Sequence, residues 1–218
     1  MIEAVRREHE ATFSLRDRQD RDYQMWRLAK YNTNPDGGDA YYSYTSNAPR
    51  ALADKIIGAA SMAKLFVKVP YGNEKADEVK QRYDDKERFI YGCINAVDDR
   101  FARALEVPFQ AQVAWHLAIR GLVFARAVLA NENDGTTINV RVWDPRNTYW
   151  RVGGNGLVWV CHRVERRAGE IEDEYELKIP NATPYDLVEM YDWWDRGVNA
   201  VAVAGAWLKP PTPHPSAR

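Results

Sequence analysis

Four histidines, His9, His116, His162 and His214, and two cysteines, Cys93 and Cys161, are the residues best suited to metal or proton chemistry. They lie far apart along the chain and share no ligand spacing. Cys161-His162 is the one Cys–His neighbour pair, and on a strand its two side chains face opposite ways, so they cannot grip one ion. "EIEDEYE" reads as a strand with Glu170, Glu172, Glu174 and Glu176 on one face. Four like charges there want solvent or a basic partner, not a desolvated acid–base pair. "SMAK" matches Ser-x-x-Lys but sits inside a helical pattern without the companion motifs of that enzyme class. "YGNEK" lacks the glycine spacing and the Lys-Ser/Thr ending of a phosphate loop. No catalytic, metal-binding or cofactor-binding residue is assigned, and no cofactor is expected. A scattered site of Asp144, Arg146 and His162 stays open as an enzyme alternative. Arg163, Arg166 and Arg167, in "RVERR", could meet a phosphate backbone; the plainer reading is a hairpin tip kept soluble by charge.

The elements that carry these residues change character midway. Residues 1–120 read as helical, 121–209 as an antiparallel β meander, and 210–218 as a proline-rich tail serving as a linker or strand-end loop. The fold class expected is α+β, with long helices first. Ile2 to about Tyr31 has no Gly or Pro and sparse apolar residues, which suits one long, mostly solvated helix. A second helix is capped by Asn47, carries Leu52, Ile56, Ala59, Ala63 and Phe66 on one face, and ends near "KVPYG". A third is capped by Asn73 and runs to about Glu106, with Val79, Tyr83, Ile90, Cys93, Val97 and Ala104 on one stripe. A fourth runs from Pro108 to a stop at Gly121. Asp134-Gly135 signals a hairpin, "DPRN" and "GGNG" are turns, and Leu157–Val164 is a strand. "RRAG" is a turn, Ile171–Ile179 a strand, and "DLVEMYDWW" with "AVAVAGAW" a last hairpin.

The 218 residues are 45% hydrophobic and 28% charged, enough for a core and a wetted surface. A formal net charge of -1 argues against gripping nucleic acid through overall positive charge. Two cysteines do not make a disulfide scaffold, and no apolar run reaches the roughly 18 residues of a membrane span. The charged start "MIEAVRREHEATF" lacks a signal peptide's apolar segment, so a reducing, aqueous compartment is expected. Aromatic residues are plentiful, and partly exposed Tyr and Trp often mark contact surfaces. Phe13, Tyr23 and Trp26 in the first helix and Trp143, Trp150 and Trp159 in the meander are the candidate subunit contacts. The Val79–Val97 stripe is a further candidate, although a packed helix needs such a face for its own core.

Three segments, "TSNAPRALADKIIGAASMAKLFVKVP", "VPFQAQVAWHLAIRGLVFARAVLA" and "VWDPRNTYWRVGGNGLVW", resemble in order and spacing the amino-terminal part of tailed-bacteriophage portal proteins. The resemblance spans nearly the whole chain and rests on no catalytic signature. It implies a structural subunit of a dodecameric ring at one capsid vertex, the head-to-tail connector. Through such a ring double-stranded DNA passes loosely during packaging and ejection. It implies as partners other copies of the chain, the terminase, the major capsid or scaffolding protein, and head-to-tail connector proteins. The location implied is the virion, with the host cytoplasm during assembly, and no membrane. Family members continue past the region matching "WLKPPTPH", and this chain stops at Arg218, so only the wing portion is expected, without stem and clip. A small β-rich adaptor that binds one protein partner is the alternative.

Overall fold

The computed structural model describes residues 1–29, 45–69, 77–132 and 135–214. The order of elements is helices first, then strands, an α+β arrangement. Within the described residues the chain forms two compact units, Met1–Asp20 with Trp143–Arg218, and Arg21–Val142. This division follows contacts rather than element type, so the first helix belongs with the late strands.

In the first unit, β3 (Thr148–Gly153), β4 (Gly156–Arg167), β5 (Leu187–Asp195), β6 (Val198–Val203) and β7 (Ala206–Pro213) pair in sequence order as an antiparallel meander. Period-two alternation gives this sheet two apolar faces. Tyr149, Trp159, Cys161, Tyr191 and Ala202 bury one face against Val5 of α1 (Ile2–Ala11). Met190, Val201 and Val203 bury the other against Ala168 and Ile171 of α6 (Ala168–Tyr175), and Ile179. A 3-10 turn, Pro145–Asn147, enters β3, with the Asp144 carboxylate accepting the Arg146 N–H. The "GGNG" turn joins β3 to β4, as expected.

Several expectations are corrected. The first helix is not continuous: α1 stops at Ala11, and α2 (Phe13–Trp26) begins after Thr12, ending short of Tyr31. The Thr12 hydroxyl donates to the Glu8 carbonyl at 2.6 Å and accepts from Arg16 Nε at 3.2 Å. A β-branched hydroxyl residue with such local bonds competes with regular helix. The "RRAG" turn and the strand beyond it are also corrected. β4 runs through Arg167, and residues 168–175 form α6. Glutamate favours helix over strand, and Ile171 and Tyr175, four apart, both face the second core. The Glu172 carboxylate then accepts the Ile179 N–H at 2.8 Å, fastening the chain that leaves the helix. The glutamates therefore do not line one strand face.

The last hairpin gains a strand, because Pro210–Pro213 extend β7 rather than forming a linker. Among the described residues β7 lies at the sheet edge and pairs with β6, with Val198 opposite Pro213 and Asn199 opposite Thr212. Prolines, which have no N–H to give a ladder, are tolerated at such an edge.

In the second unit, α3 (Ala48–Met62) packs on α5 (Phe109–Arg120). It ends at Met62, before the expected "KVPYG", where Ala63 is already extended. Asn47 is the N-cap residue, as expected, but its side chain makes no capping hydrogen bond. α4 (Asp77–Arg103) stops short of Glu106. Its expected cap, Asn73, lies outside the described residues, as does Asp134 of the hairpin signal. Gly121, at φ 78°, ends α5 in the left-handed region where glycine carries no Cβ penalty. β1 (Phe124–Glu132) and β2 (Gly135–Trp143) form a two-stranded sheet.

Candidate functional site

A cavity of about 630 Å³ opens in the first unit, lined by residues of α1, α2, the 3-10 turn, β3 and β4, including His9, Arg16, Arg146, Tyr149 and Arg163. Its floor is set by Arg16, which is 6% exposed although it stands among the charges of "RDRQDRDYQ". The guanidinium donates to the Arg146 carbonyl, to the Thr148 carbonyl at 2.9 Å and to Thr12 Oγ1. It lies 4.1 Å from the centre of the buried Tyr149 ring. All the acceptors are neutral, and burial lowers the Arg16 pKa from its ordinary value.

The walls carry paired charges. Arg146 grips the Asp20 carboxylate through Nε and Nη2, the latter at 2.8 Å, which raises the Arg146 pKa. Arg163 grips Glu189, which itself accepts from the Tyr191 hydroxyl at 2.9 Å. The hydrogen bond from Arg163 holds the Glu189 carboxyl below its usual range. Burial, and then the hydrogen bond to Glu189, push the Tyr191 hydroxyl up to about 12. His9 Nδ1 lies 3.2 Å from the Tyr149 hydroxyl. Burial, and then the charges of Arg16, Arg163 and Arg146, lower the His9 pKa below 6.5.

A pH dependence follows. The folded state binds the His9 proton less readily than the unfolded chain, so it loses stability as pH falls from 6.5 through the lower folded value. Thermal denaturation between about pH 7 and 5 is expected to show a flatter decline for His9→Gln than for the native chain. An unchanged slope would remove His9 from this role.

The three arginines named from sequence do not form one patch. Arg163 and Arg167 share one face of β4, and Arg166 faces the other way. Arg166 pairs with Glu174 at 2.6 Å and Glu170 at 3.7 Å, while Arg167 is exposed. The cavity that Arg146 lines includes neither Asp144 nor His162. His162 instead stacks on Trp143 at 4.9 Å, with the rings 7° from parallel. Cys161 is fully buried, and burial raises its thiol pKa far above the ordinary value. No group of three or more metal-ligating side chains occurs among the described residues. Within those residues no helix is long and apolar enough to cross a membrane.

The aromatic contact candidates divide by burial. Trp143 and Trp159 are buried in the first unit, where Trp159 stacks on Trp193 at 4.5 Å, so neither offers its ring to another subunit as expected. Trp150 is half-buried. Phe13, 66% exposed, stands at the cavity rim. In the second unit Tyr23 and Trp26 are half-buried, both packed against Trp115 at 6.0 and 5.5 Å. That unit also leaves apolar side chains in solvent: Leu52, Ile56, Met62, Phe66 and Phe89. The α4 stripe is half core. Val97 is buried, while Phe89, Ile90, Cys93 and Ile94 line an apolar groove of about 240 Å³ with Phe109 of α5 and Ile138 and Val140 of β2.

Sequence reading missed Arg16, His9 and Tyr149 as one constellation. Arg16 looks like its solvated neighbours Arg18 and Arg21, and nothing local marks it as buried. No protein-family model matches the chain, and no curated protein matches its sequence.

Proposed function

We propose that this chain is a structural subunit of a tailed-bacteriophage portal ring, supplying its wing portion. The ring forms the DNA conduit at the capsid vertex during genome packaging and ejection. The observation that carries the reading is the ordered set of portal-like segments from "TSNAPRALADKII" to "VWDPRNTYWRVGGNGLVW". A physical feature of the second unit supports it. Met62 and Phe66 are 83% and 82% exposed, and Phe89 is two-thirds exposed. Apolar surface of this kind is stabilised by a neighbouring chain. A ring of identical subunits supplies one, because each copy sets one face against a different face of the next.

On this reading the chain performs no chemistry of its own. Its partners are further copies, the terminase, the major capsid or scaffolding protein, head-to-tail connector proteins, and double-stranded DNA passing without tight binding. A near-neutral chain suits a conduit, because strong phosphate binding would stall the moving duplex. The protein resides in the virion, after assembly in the host cytoplasm.

Light scattering and native mass spectrometry are expected to find a closed oligomer. Phe66→Ser with Phe89→Ser is expected to shift it toward monomer while changing stability by no more than about 1 kcal/mol, since both side chains are exposed. A native chain that stays monomeric at every concentration would overturn the ring reading and favour the single-partner adaptor. So would a gene neighbourhood without a terminase.

A further inference from the structure

We propose that the cavity floored by Arg16 and Tyr149, and walled by His9, Arg146 and Arg163, binds a small phosphate ester. The inference does not depend on the ring.

Charge sets Arg16 apart from the two arginines in the cavity walls. Arg146 and Arg163 each face a carboxylate, Asp20 and Glu189. Arg16 does not: its three hydrogen bonds end on two carbonyl oxygens and a hydroxyl, and its plane rests on an aromatic ring. A cation whose hydrogen bonds all end on neutral acceptors has only the more distant Asp20 and Asp144 carboxylates to offset its desolvation, and an anion in the adjoining cavity would add a direct counter-charge. Asp17 and Glu165 also line the cavity, but both are exposed and screened by water.

The donors suit a phosphate group. Guanidinium groups present planar, permanently charged N–H donors that fit phosphate oxygens. Nη1 of Arg146 stays outside the ion pair with Asp20. His9 engages Tyr149 through Nδ1, which leaves Nε2 as a second donor in the tautomer that accepts there.

Size and shape narrow the ligand. A volume of about 630 Å³ exceeds that of a lone phosphate ion and leaves room for an organic group. Phe13, exposed at the rim, offers that group a flat apolar face. Because Arg16 is recessed, a small ligand can enter where the backbone of a stiff duplex cannot.

Titration calorimetry with phenyl phosphate, inorganic phosphate, benzoate and a short DNA duplex, at matched ionic strength, tests this. Phenyl phosphate is expected to bind saturably and more tightly than inorganic phosphate or benzoate. Arg16 substitutions threaten the fold, so the site is probed through Arg146→Gln and His9→Gln. Each is expected to weaken phenyl phosphate about tenfold, the scale of one lost charge-assisted hydrogen bond. Arg167→Gln, on an exposed residue outside the cavity lining, is expected to leave binding unchanged. Non-saturating heats, full affinity in Arg146→Gln, equal binding of benzoate, or displacement of phenyl phosphate by the duplex at equal phosphate concentration would each overturn the assignment.

Discussion

Trp159→Ala is expected to lower the stability of the sheet unit by about 3–5 kcal/mol, the usual cost of emptying a buried tryptophan site. The ring is 8% exposed, stacks on Trp193 and packs in the cluster that contains Val5, Tyr149, Cys161 and Tyr191. Its strand is bonded on both sides, to β3 and β5, so the sheet cannot easily close over the void. Val5 belongs to α1, and the same substitution should loosen that helix from the sheet. Urea denaturation followed by circular dichroism measures the loss. Trp207→Ala, on a side chain 51% exposed, is the comparison and should change stability by no more than about 0.5 kcal/mol. If Trp159→Ala kept full stability and lost only self-association, Trp159 would be a subunit contact and its burial here would be irrelevant to folding.

Ile171→Ala is the second large effect, expected at about 2–5 kcal/mol. Ile171 has no exposed surface and joins α6 to the face of the sheet formed by Met190, Val201 and Val203. Burial so complete leaves a cavity where the side chain was. The other anchors of α6 are the small Ala168, the partly buried Tyr175, backbone hydrogen bonds from Ala168 and Gly169, and the polar contacts of Arg166 with Glu174 and of Glu172 with the Ile179 N–H. Glu170→Ala, exposed on the same helix, should cost no more than about 0.5 kcal/mol, because its ion pair with Arg166 at 3.7 Å is solvated. Comparable losses at both positions would mean that α6 is stabilised through its charges and not through Ile171.

The phosphate-ester proposal and the portal proposal make separate demands. One needs a single folded sheet unit; the other needs exposed apolar residues of the helical unit to meet another chain. A monomer that binds phenyl phosphate would leave the site standing without the ring, and a ring indifferent to phenyl phosphate would do the reverse.

Local patterns in the sequence were legible where a residue's role depends on near neighbours. Gly121 ends α5, "DPRN" and "GGNG" turn the chain, and the α-then-β order follows from the change in apolar period. The α6 segment misled because its alternating glutamates fit a period of two, whereas Ile171 and Tyr175 fit a helical spacing that only the second core makes decisive. The proline-rich end misled in the opposite direction. Prolines exclude a central strand, but whether β7 had an edge to occupy depends on β6 standing there.

Composition and short-range spacing by themselves determined the α+β class, the "DPRN" and "GGNG" turns, the absence of a recognisable catalytic or phosphate-loop motif, and a net charge near neutrality. Only the tertiary structure decided that Trp143 and Trp159 are interior, that Arg163 and Arg166 face opposite ways, and that Arg16 is buried beside His9 and Tyr149. The physical reason is range. Turn chemistry and periodicity act over a few residues. Burial of a charged or aromatic side chain depends on which distant strand or helix lies over it, and Arg16 meets its carbonyl partners across more than a hundred residues of chain.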